Sequence, residues 1–243
     1  MLAKSSHASL RRCVIHSFYL CIIFICMACV SKPVKNNISL SELEKLKVSM
    51  EKRTALSGNG SISIVTKEQN ISAPGVLVLQ WPNKLRLEVQ DPMGATQALL
   101  IFNEQQFWWD DTKQNKPVIG PLNHPSLQNI VPIPLSGTSL IGALLGRVDT
   151  EVITDQSLRL GEPLSALYTF SNNRVVRVEY ESYETVGGLS YPSLIRIVLQ
   201  VAGTETSRLV WRWSDAQPNG GALPQIFQIP PEGAPKKIYQ LAN

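Results

Sequence analysis

Histidine and cysteine are scarce in this sequence of 243 residues, and their positions exclude several kinds of chemistry. Of the three histidines, only His124 lies beyond the first 30 residues, in a proline-bounded loop without an acidic neighbour. Three of the four cysteines, Cys13, Cys21 and Cys26, lie in an N-terminal apolar segment, which leaves Cys29 alone in the remaining chain. We therefore expect no disulfide, no cysteine-based metal site and no catalytic histidine.

Sequence motifs that carry catalysis are also missing. The chain contains no G-x-S-x-G nucleophile elbow and no phosphate-binding P-loop. The glycines of SGNGS, residues 57–61, are predicted to form a turn between a helix and a strand. Asp110 and Asp111 are adjacent, and adjacent strand residues point to opposite faces, so we expect no shared cation site. The sequence therefore predicts a protein that is not an enzyme and that needs no metal and no cofactor.

Positive charge is concentrated at the N-terminus. Lys4, Arg11 and Arg12 account for three of the 23 basic residues, so the chain beyond residue 28 carries 20 basic against 19 acidic side chains. No dense basic cluster occurs in that part. A nearly neutral chain of this kind does not attract phosphate in bulk, and we exclude nucleic acid as a partner.

An apolar run near the N-terminus ends at a small residue followed by a cysteine. Its uninterrupted part, Phe18–Ala28, is about half of the roughly 20 residues that a membrane-spanning helix needs, and basic residues precede it. This order is typical of a secretory signal. The junction before Cys29 resembles the lipobox of bacterial lipoproteins, in which the cysteine is acylated and becomes the first residue after cleavage. Cys26 stands where the usual pattern has leucine.

The sequence thus predicts three segments. We expect residues 1–28 to be a lipoprotein signal peptide and residues 29–38 to be a polar tether behind a lipid attached to Cys29. Secretion without a lipid and an uncleaved anchor are the alternatives. Residues 39–243 are expected to form a single domain, with a C-terminal extension over 214–243.

The spacing of apolar residues predicts a mainly β domain that begins with a helix. Over 39–53, leucine and methionine recur at helical spacing, with serines at the start and basic residues at the end. Beyond Gly58 the period changes to two, and short turns separate ten or eleven strands, an antiparallel meander. The tail over 224–237 is expected to add one edge strand. The clearest strands cover residues 60–65, 75–81, 84–90, 97–103, 106–111, 174–181, 193–201 and 207–213.

A segment rich in proline, glycine and leucine interrupts the strands after Gly120. It predicts a short helix, Thr138–Leu145, that is apolar nearly all round and must be covered on most sides. Trp108 and Trp109 point to opposite faces, so at most one lies inside. Two interpretations are open: a filled core, or a sheet curved around an apolar cavity with this helix as a lid. For the second, the predicted lining residues are Leu85, Leu87, Val89, Leu140, Leu144, Ile195, Ile197, Leu199, Leu209 and Trp211.

Three segments resemble the LolB family of outer-membrane lipoproteins in their order and spacing. They are QDPMGATQALLIF (90–102), VPIPLSGTSLIGALLG (131–146) and VVRVEYESYETVGGLSYPSLIRIVLQ (175–200). The resemblance runs from about Leu43 to Trp213, most of the chain. It has two departures: the tryptophan usual in the family's lid helix is absent, with Gly142 or Ala143 near its place, and the tail from Ser214 is longer.

The resemblance implies a half-open antiparallel β-barrel, its mouth covered by helices and its interior holding acyl chains. It further implies a monomeric receptor, anchored by its lipid to the periplasmic face of the outer membrane. Such a receptor accepts lipoproteins from a LolA-like periplasmic carrier and inserts them into the outer-membrane lipid. Met93, in the turn QDPMGAT, matches the family's exposed apolar residue in a membrane-delivery loop; an ordinary hairpin tip is the alternative.

A second function class stays open from the residues themselves. A lipidated structural or envelope-assembly protein would use the same apolar residues as a filled β core and would have no transfer activity. Cavity volume and bound lipid distinguish the two classes.

The first prediction concerns the anchor. We expect the mature protein to begin at an acylated Cys29, because a small residue followed by a lone cysteine after a short apolar run is the site at which lipoproteins are processed. Mass spectrometry of the N-terminal peptide should show a lipid adduct, and Cys29→Ala should remove it. An unmodified Cys29, or retention of residues 1–28, would contradict this prediction.

Overall fold

The structure is a computed structural model, and it describes most of the chain beyond the N-terminal segment. The predicted signal peptide, Cys29, the tether and His124 lie outside the described residues, as does much of the tail. Within the described part, no helix is long and apolar enough to cross a membrane. The described residues are 40–113, 116–123, 125–148, 158–159, 162–163, 165–219 and 224–231.

Three helices and thirteen strands make up the described part, together with one short 3-10 helix. The helices are α1 (Leu40–Glu51), α2 (Pro125–Ile130) and α3 (Gly137–Leu145), and the 3-10 helix is Pro224–Phe227. The strands are β1 (Ala55–Thr66), β2 (Asn70–Gln80), β3 (Lys84–Gln90), β4 (Thr96–Asn103), β5 (Gln106–Asp111), β6 (Val118–Pro121), β7 (Leu158–Arg159), β8 (Glu162–Pro163), β9 (Ser165–Phe170), β10 (Arg174–Val186), β11 (Leu189–Val201), β12 (Thr204–Trp213) and β13 (Gln217–Pro218).

Eleven strands form one antiparallel sheet. Its order is β6-β5-β4-β3-β2-β1-β12-β11-β10-β9, with β13 paired to the beginning of β1. Neighbouring strands are mostly consecutive in sequence, as in a meander, and β1 joins the first half to the second by pairing with β12. The order ends at β6 and β9 and does not close, so the predicted half-open barrel of ten to eleven strands is confirmed. Strands β7 and β8 form a separate two-stranded ribbon.

The predicted turn at 57–61 is wrong, because β1 passes straight through it. Gly58 has φ +154°, and a Cβ there would collide with the backbone oxygen of Asp215. Asp215 is held close by Asn59, whose backbone N–H and side-chain amide donate to the carboxylate at 2.9 and 3.0 Å. These bonds lower the pKa of the Asp215 carboxyl. Glycine here permits the close approach of the Asp215 backbone and does not end the strand.

The main apolar core lies on the concave face of the sheet. Side chains from β1–β5 and β9–β12 alternate inward, and Leu46 and Met50 of α1 join them together with nearly all of α3. Trp211 lies fully buried on the floor of this face. A Cβ at Gly60 would be 2.7 Å from the Trp211 ring, and one at Gly75 would be 3.7 Å from it. The glycines therefore make room for the indole.

The tail does not form the predicted edge strand at its start. Residues 224–227 form a 3-10 helix that packs on β3 and β4, and Ile229 contacts a small apolar cluster. The cluster consists of Leu99, Ile101 and Trp108, which point away from the main core. Strand β4 has apolar side chains on both faces, so both faces must be shielded from water. The tail shields the outer face. Trp108 and Trp109 do point to opposite faces, and Trp108 on the outer face is the more buried of the two.

A buried ion pair lies beneath the same segment. The Arg86 Nε donates to Glu88 Oε1 at 2.8 Å, and both side chains are almost fully buried. Arg86 Nη1 also donates to the carbonyl of Ile226 at 3.1 Å. Because a buried charge is tolerated only when it is paired and hydrogen-bonded, the tail is part of the fold.

Candidate functional site

An apolar cavity lies on the concave side of the sheet, between strands β1–β5 and β12 and the helices α2 and α3. Its volume is about 50 Å³, and every side chain that lines it is apolar or aromatic. The lining residues are Ile62, Ile64, Leu77, Leu85, Leu87, Val89, Leu100, Trp109, Ile130, Val131, Leu140, Leu144, Leu209 and Trp211. The helical insertion thus covers a void within the core.

The structure places seven of the ten predicted lining residues around this cavity. They are Leu85, Leu87, Val89, Leu140, Leu144, Leu209 and Trp211. Ile195, Ile197 and Leu199 of β11 are buried in the main core and do not line this cavity. The reason is that α3 packs against β11 and fills the space above that strand.

Other lining residues were not predicted from the sequence. Leu77, Leu100 and Trp109 follow the same period of two as the predicted ones, so alternation alone could have found them. Ile130 and Val131 belong to α2 and the turn after it, where the prolines gave no helical signal.

Exposure falls from one end of the cavity to the other. Ile64, Val89, Trp109 and Ile130 are only partly buried, whereas the lining residues near α3 are buried. Ile64 and Val89 lie close to the ends of β1 and β3, where the β1–β2 and β3–β4 hairpins turn. The cavity therefore opens at that end of the sheet, which we call the hairpin end, and α3 closes the opposite end.

Helix α3 matches the predicted lid helix, with one more residue at its start. Ser136 caps its N-terminus by accepting the backbone N–H of Ser139 at 3.1 Å. Gly146 ends it in the left-handed conformation, φ 68°. Leucine and isoleucine cover most of its circumference, and nearly every residue in it is buried. Because propensity contributes little to a helix this short, its stability depends on packing.

The Trp81 side chain packs against α3. A Cβ on Gly142 would be 3.1 Å from the Trp81 ring, which comes from the β2–β3 turn. The guanidinium of Arg147 lies over the same ring, 4.6 Å from its centroid. Arg147 Nη1 also donates to the carbonyls of Met50 and Glu51 at 3.0 and 2.8 Å. A cation at the C-terminus of α1 is favourable, and Arg147 thereby ties α1 to the segment just after α3.

Two buried polar side chains fasten α3 to the sheet at the closed end. Arg53 is 1% exposed. Its Nη1 donates to the carbonyl of Gly146 at 2.7 Å, and its Nε donates to the carbonyl of Ser190 at 2.8 Å. The Tyr180 hydroxyl donates to the carbonyl of Ala143 at 2.9 Å. Burial raises the pKa of the Tyr180 hydroxyl well above its usual value, which favours the protonated, donating form.

Met93 projects from the hairpin end, on the β3–β4 turn. Its side chain is 95% exposed. The turn is ordered by Asp91, whose Oδ1 accepts the backbone N–H groups of Met93 and Ala95 at 2.8 and 2.9 Å. Gly94 supplies the positive φ of 85° that the turn requires. Met93 is thus held out into solvent by a rigid turn beside the open end of the cavity.

Solved structures of other proteins are similar to this one. A DUF1329 family protein from Desulfovibrio piger has a TM-score of 0.52 at 11% identity, covering 77% of this chain and 96% of its own. A LolA superfamily protein from Nitrosomonas europaea has a TM-score of 0.49 at 14% identity, covering 78% and 96%. A domain designated as an outer membrane lipoprotein-sorting protein from Vibrio parahaemolyticus has a TM-score of 0.46 at 9% identity, covering 77% and 95%.

At such identities, likeness to the D. piger protein shows the fold alone. No protein-family model and no curated protein matches the chain. Among the described residues, no group of histidine, cysteine and carboxylate side chains could hold a metal ion.

The second prediction concerns the fastening of α3. Arg53→Met keeps an apolar stem of similar length but leaves the carbonyls of Gly146 and Ser190 without their donor, at a cost of about 1–3 kcal/mol each. We expect a lower free energy of unfolding in urea and stronger binding of an apolar fluorescent dye, because the lid opens more often. Arg177→Met is the control, since it removes a surface pair with Glu179 that contributes at most about 1 kcal/mol. Equal effects of the two substitutions would show that Arg53 does not fasten the lid.

Proposed function

We propose that this protein is an outer-membrane-anchored lipoprotein receptor of the LolB kind. It accepts lipoproteins from a LolA-like periplasmic carrier, holds their acyl chains in the cavity and inserts them into the outer membrane. The observation that carries the proposal is the arrangement of the cavity: an apolar void covered by an apolar helix opens at the end of the sheet that presents Met93. The resemblance of three sequence segments to the LolB family supports the same role.

An apolar cavity suits this task energetically. Each buried methylene of an acyl chain contributes about 0.8 kcal/mol, so a chain of some fifteen methylenes loses on the order of 12 kcal/mol when exposed to water. A lining of leucine, isoleucine, valine and tryptophan removes most of that cost. Transfer from carrier to receptor to bilayer can then proceed downhill without a nucleotide, and the protein acts as a monomer without a cofactor.

The size of the cavity requires that it enlarge when cargo binds, and we infer that α3 is the part of its cover that moves. A volume of about 50 Å³ is smaller than the roughly 150 Å³ cavity that accepts one benzene molecule, so no acyl chain fits the closed state. Helix α3 is fastened at the closed end by the Arg53 and Tyr180 hydrogen bonds, and elsewhere it is held by apolar packing. An acyl chain can replace that packing with contacts of the same kind.

The competing function is a structural or envelope-assembly role with a filled core, and the small cavity volume favours it. The two proposals differ in what the protein binds. The direct experiment mixes a labelled lipoprotein, bound to its periplasmic carrier, with protein carrying Cys29→Ala, which lacks the anchor but keeps the cavity. Movement of the label to this protein supports the receptor, and retention by the carrier with no uptake supports the structural role.

The third prediction concerns delivery. Met93→Glu places a charge on the projecting turn, where it removes no core contact and disturbs none of the Asp91 hydrogen bonds. We expect lipoprotein uptake to be unchanged and transfer to liposomes to slow by tenfold or more, since a carboxylate disfavours entry into a bilayer. Methionine itself is apolar and adaptable, which suits contact with disordered acyl chains.

Val186→Glu is the matched control for Met93→Glu. Val186 is also an exposed apolar residue, 44% exposed, but it lies at the β10–β11 hairpin, at the closed end of the sheet. Its substitution should leave both uptake and delivery unchanged. If the Met93 variant delivers lipoprotein as fast as the wild type, the turn has no part in delivery.

A further inference from the structure

A polar groove adjoins the open end of the cavity. Its volume is about 460 Å³, and it lies between the β1–β2 hairpin, the end of α2 and the start of β12. The groove residues are Thr66, Lys67, Glu68, Gln69, Gln128, Asn129, Pro132, Thr206 and Ser207. It shares no residue with the apolar cavity, yet three of the same elements line both.

Each of these elements changes from apolar to polar as it leaves the cavity. In β1, Ile64 lines the cavity and Thr66 lines the groove. In β12, Leu209 lines the cavity and Ser207 lines the groove. Two residues of a strand span about 7 Å, so the groove begins within that distance of the cavity rim. Around α2, Ile130 contributes to the cavity while the residues before it contribute to the groove.

The chemistry of the groove is that of neutral hydrogen-bonding groups. Lys67 and Glu68 carry opposite charges, so the groove has no net charge. Carboxamides come from Gln69, Gln128 and Asn129, and each offers both donors and an acceptor. All three side chains are exposed, and within the described part of the chain none of them has a hydrogen-bond partner.

The threonine hydroxyls of the groove form hydrogen bonds within the protein. Thr66 Oγ1 accepts the backbone N–H groups of Glu68 and Gln69 at 3.2 and 3.1 Å. Thr206 Oγ1 donates to the carbonyl of Leu199 at 3.3 Å. These hydroxyls hold the walls of the groove, which leaves the carboxamides available for a ligand.

We propose that the groove binds the amide-bearing end of an acylated peptide whose acyl chains occupy the cavity. This inference rests on the proposed function and adds a preference to it. A peptide group is uncharged and offers one donor and one acceptor, which carboxamides complement. A phospholipid presents a phosphate, which proteins bind with arginine, lysine or clustered N–H donors. A groove with one lysine and one glutamate, and so without net charge, favours the peptide over the phosphate.

The test compares two ligands with the same acyl chains, using protein with Cys29→Ala. The probes are a dipalmitoylated cysteinyl peptide with an uncharged sequence and amidated end, and dipalmitoyl phosphatidylglycerol. Their affinities are measured by displacement of an apolar fluorescent dye. We expect the wild-type groove to prefer the lipopeptide. The double substitution Gln128→Ala with Asn129→Ala should reduce lipopeptide affinity about tenfold, the effect of two or so lost hydrogen bonds, and leave phosphatidylglycerol affinity unchanged.

A charge substitution tests the same preference in the opposite direction. Asn129→Lys should raise the affinity for phosphatidylglycerol and lower the relative preference for the lipopeptide. The control is Gln105→Ala, an exposed amide on the β4–β5 turn at the closed end, which should change neither affinity. Both groove positions are exposed on a short helix, so their substitution should leave the midpoint of urea unfolding nearly unchanged.

The outcomes separate this inference from the function on which it rests. Equal binding of both ligands, or a wild-type preference for phosphatidylglycerol, overturns the groove assignment and leaves the apolar cavity intact. Loss of preference in the alanine variant together with a gain of phosphatidylglycerol binding in the lysine variant supports it. If neither ligand nor the dye binds the wild type, the receptor function fails as well.

Discussion

The sheet curves without closing, and its concave face therefore needs an apolar cover that its own strands cannot provide. Helix α3 supplies most of that cover, because it is apolar nearly all round and only burial makes so short a helix stable. The cover and the strands are mutually dependent. The helix has no structure of its own to retain away from the sheet, and the sheet without the helix would expose Leu85, Leu209 and their neighbours to water.

Polar contacts are distributed unequally along this cover. At the closed end, Arg53 and Tyr180 donate hydrogen bonds to carbonyls at the end of α3. Arg147, just after α3, donates to a carbonyl at the end of α1. At the hairpin end, the lining is partly exposed and the neighbouring groove presents carboxamides without partners in the described structure. An amphipathic ligand would place its polar group in the groove and its apolar chain in the cavity. For α3 to leave the sheet, the hydrogen bonds at the closed end must break.

How much could be predicted from the sequence differs from element to element. The alternation in KLRLEVQ fixes which residues of β3 face inward, and a capped apolar run with a following glycine fixes α3. The same alternation could not distinguish Ile195 from Leu209, because both face inward and only the position of α3 decides which of them borders a void. Arg53 gave no signal at all, since its partners Gly146 and Ser190 are 93 and 137 residues away. Glycine in β1 was mistaken for a turn because the close approach of Asp215 cannot be seen in sequence.

The central claim is that the cavity enlarges by displacement of α3 when an acyl chain enters. Beyond residue 28 the chain contains one cysteine, Cys29. Protein that begins at residue 29 and carries Cys29→Ala therefore has no other cysteine when two spin labels are introduced. Labels at Thr138→Cys on α3 and Gln105→Cys on the β4–β5 turn report the distance between lid and sheet, and a Gln105→Cys, Glu205→Cys pair reports the sheet alone. On binding of the dipalmitoylated peptide, the account predicts a longer and broader distance for the first pair and no change for the second. An unchanged lid distance with the peptide bound would contradict it.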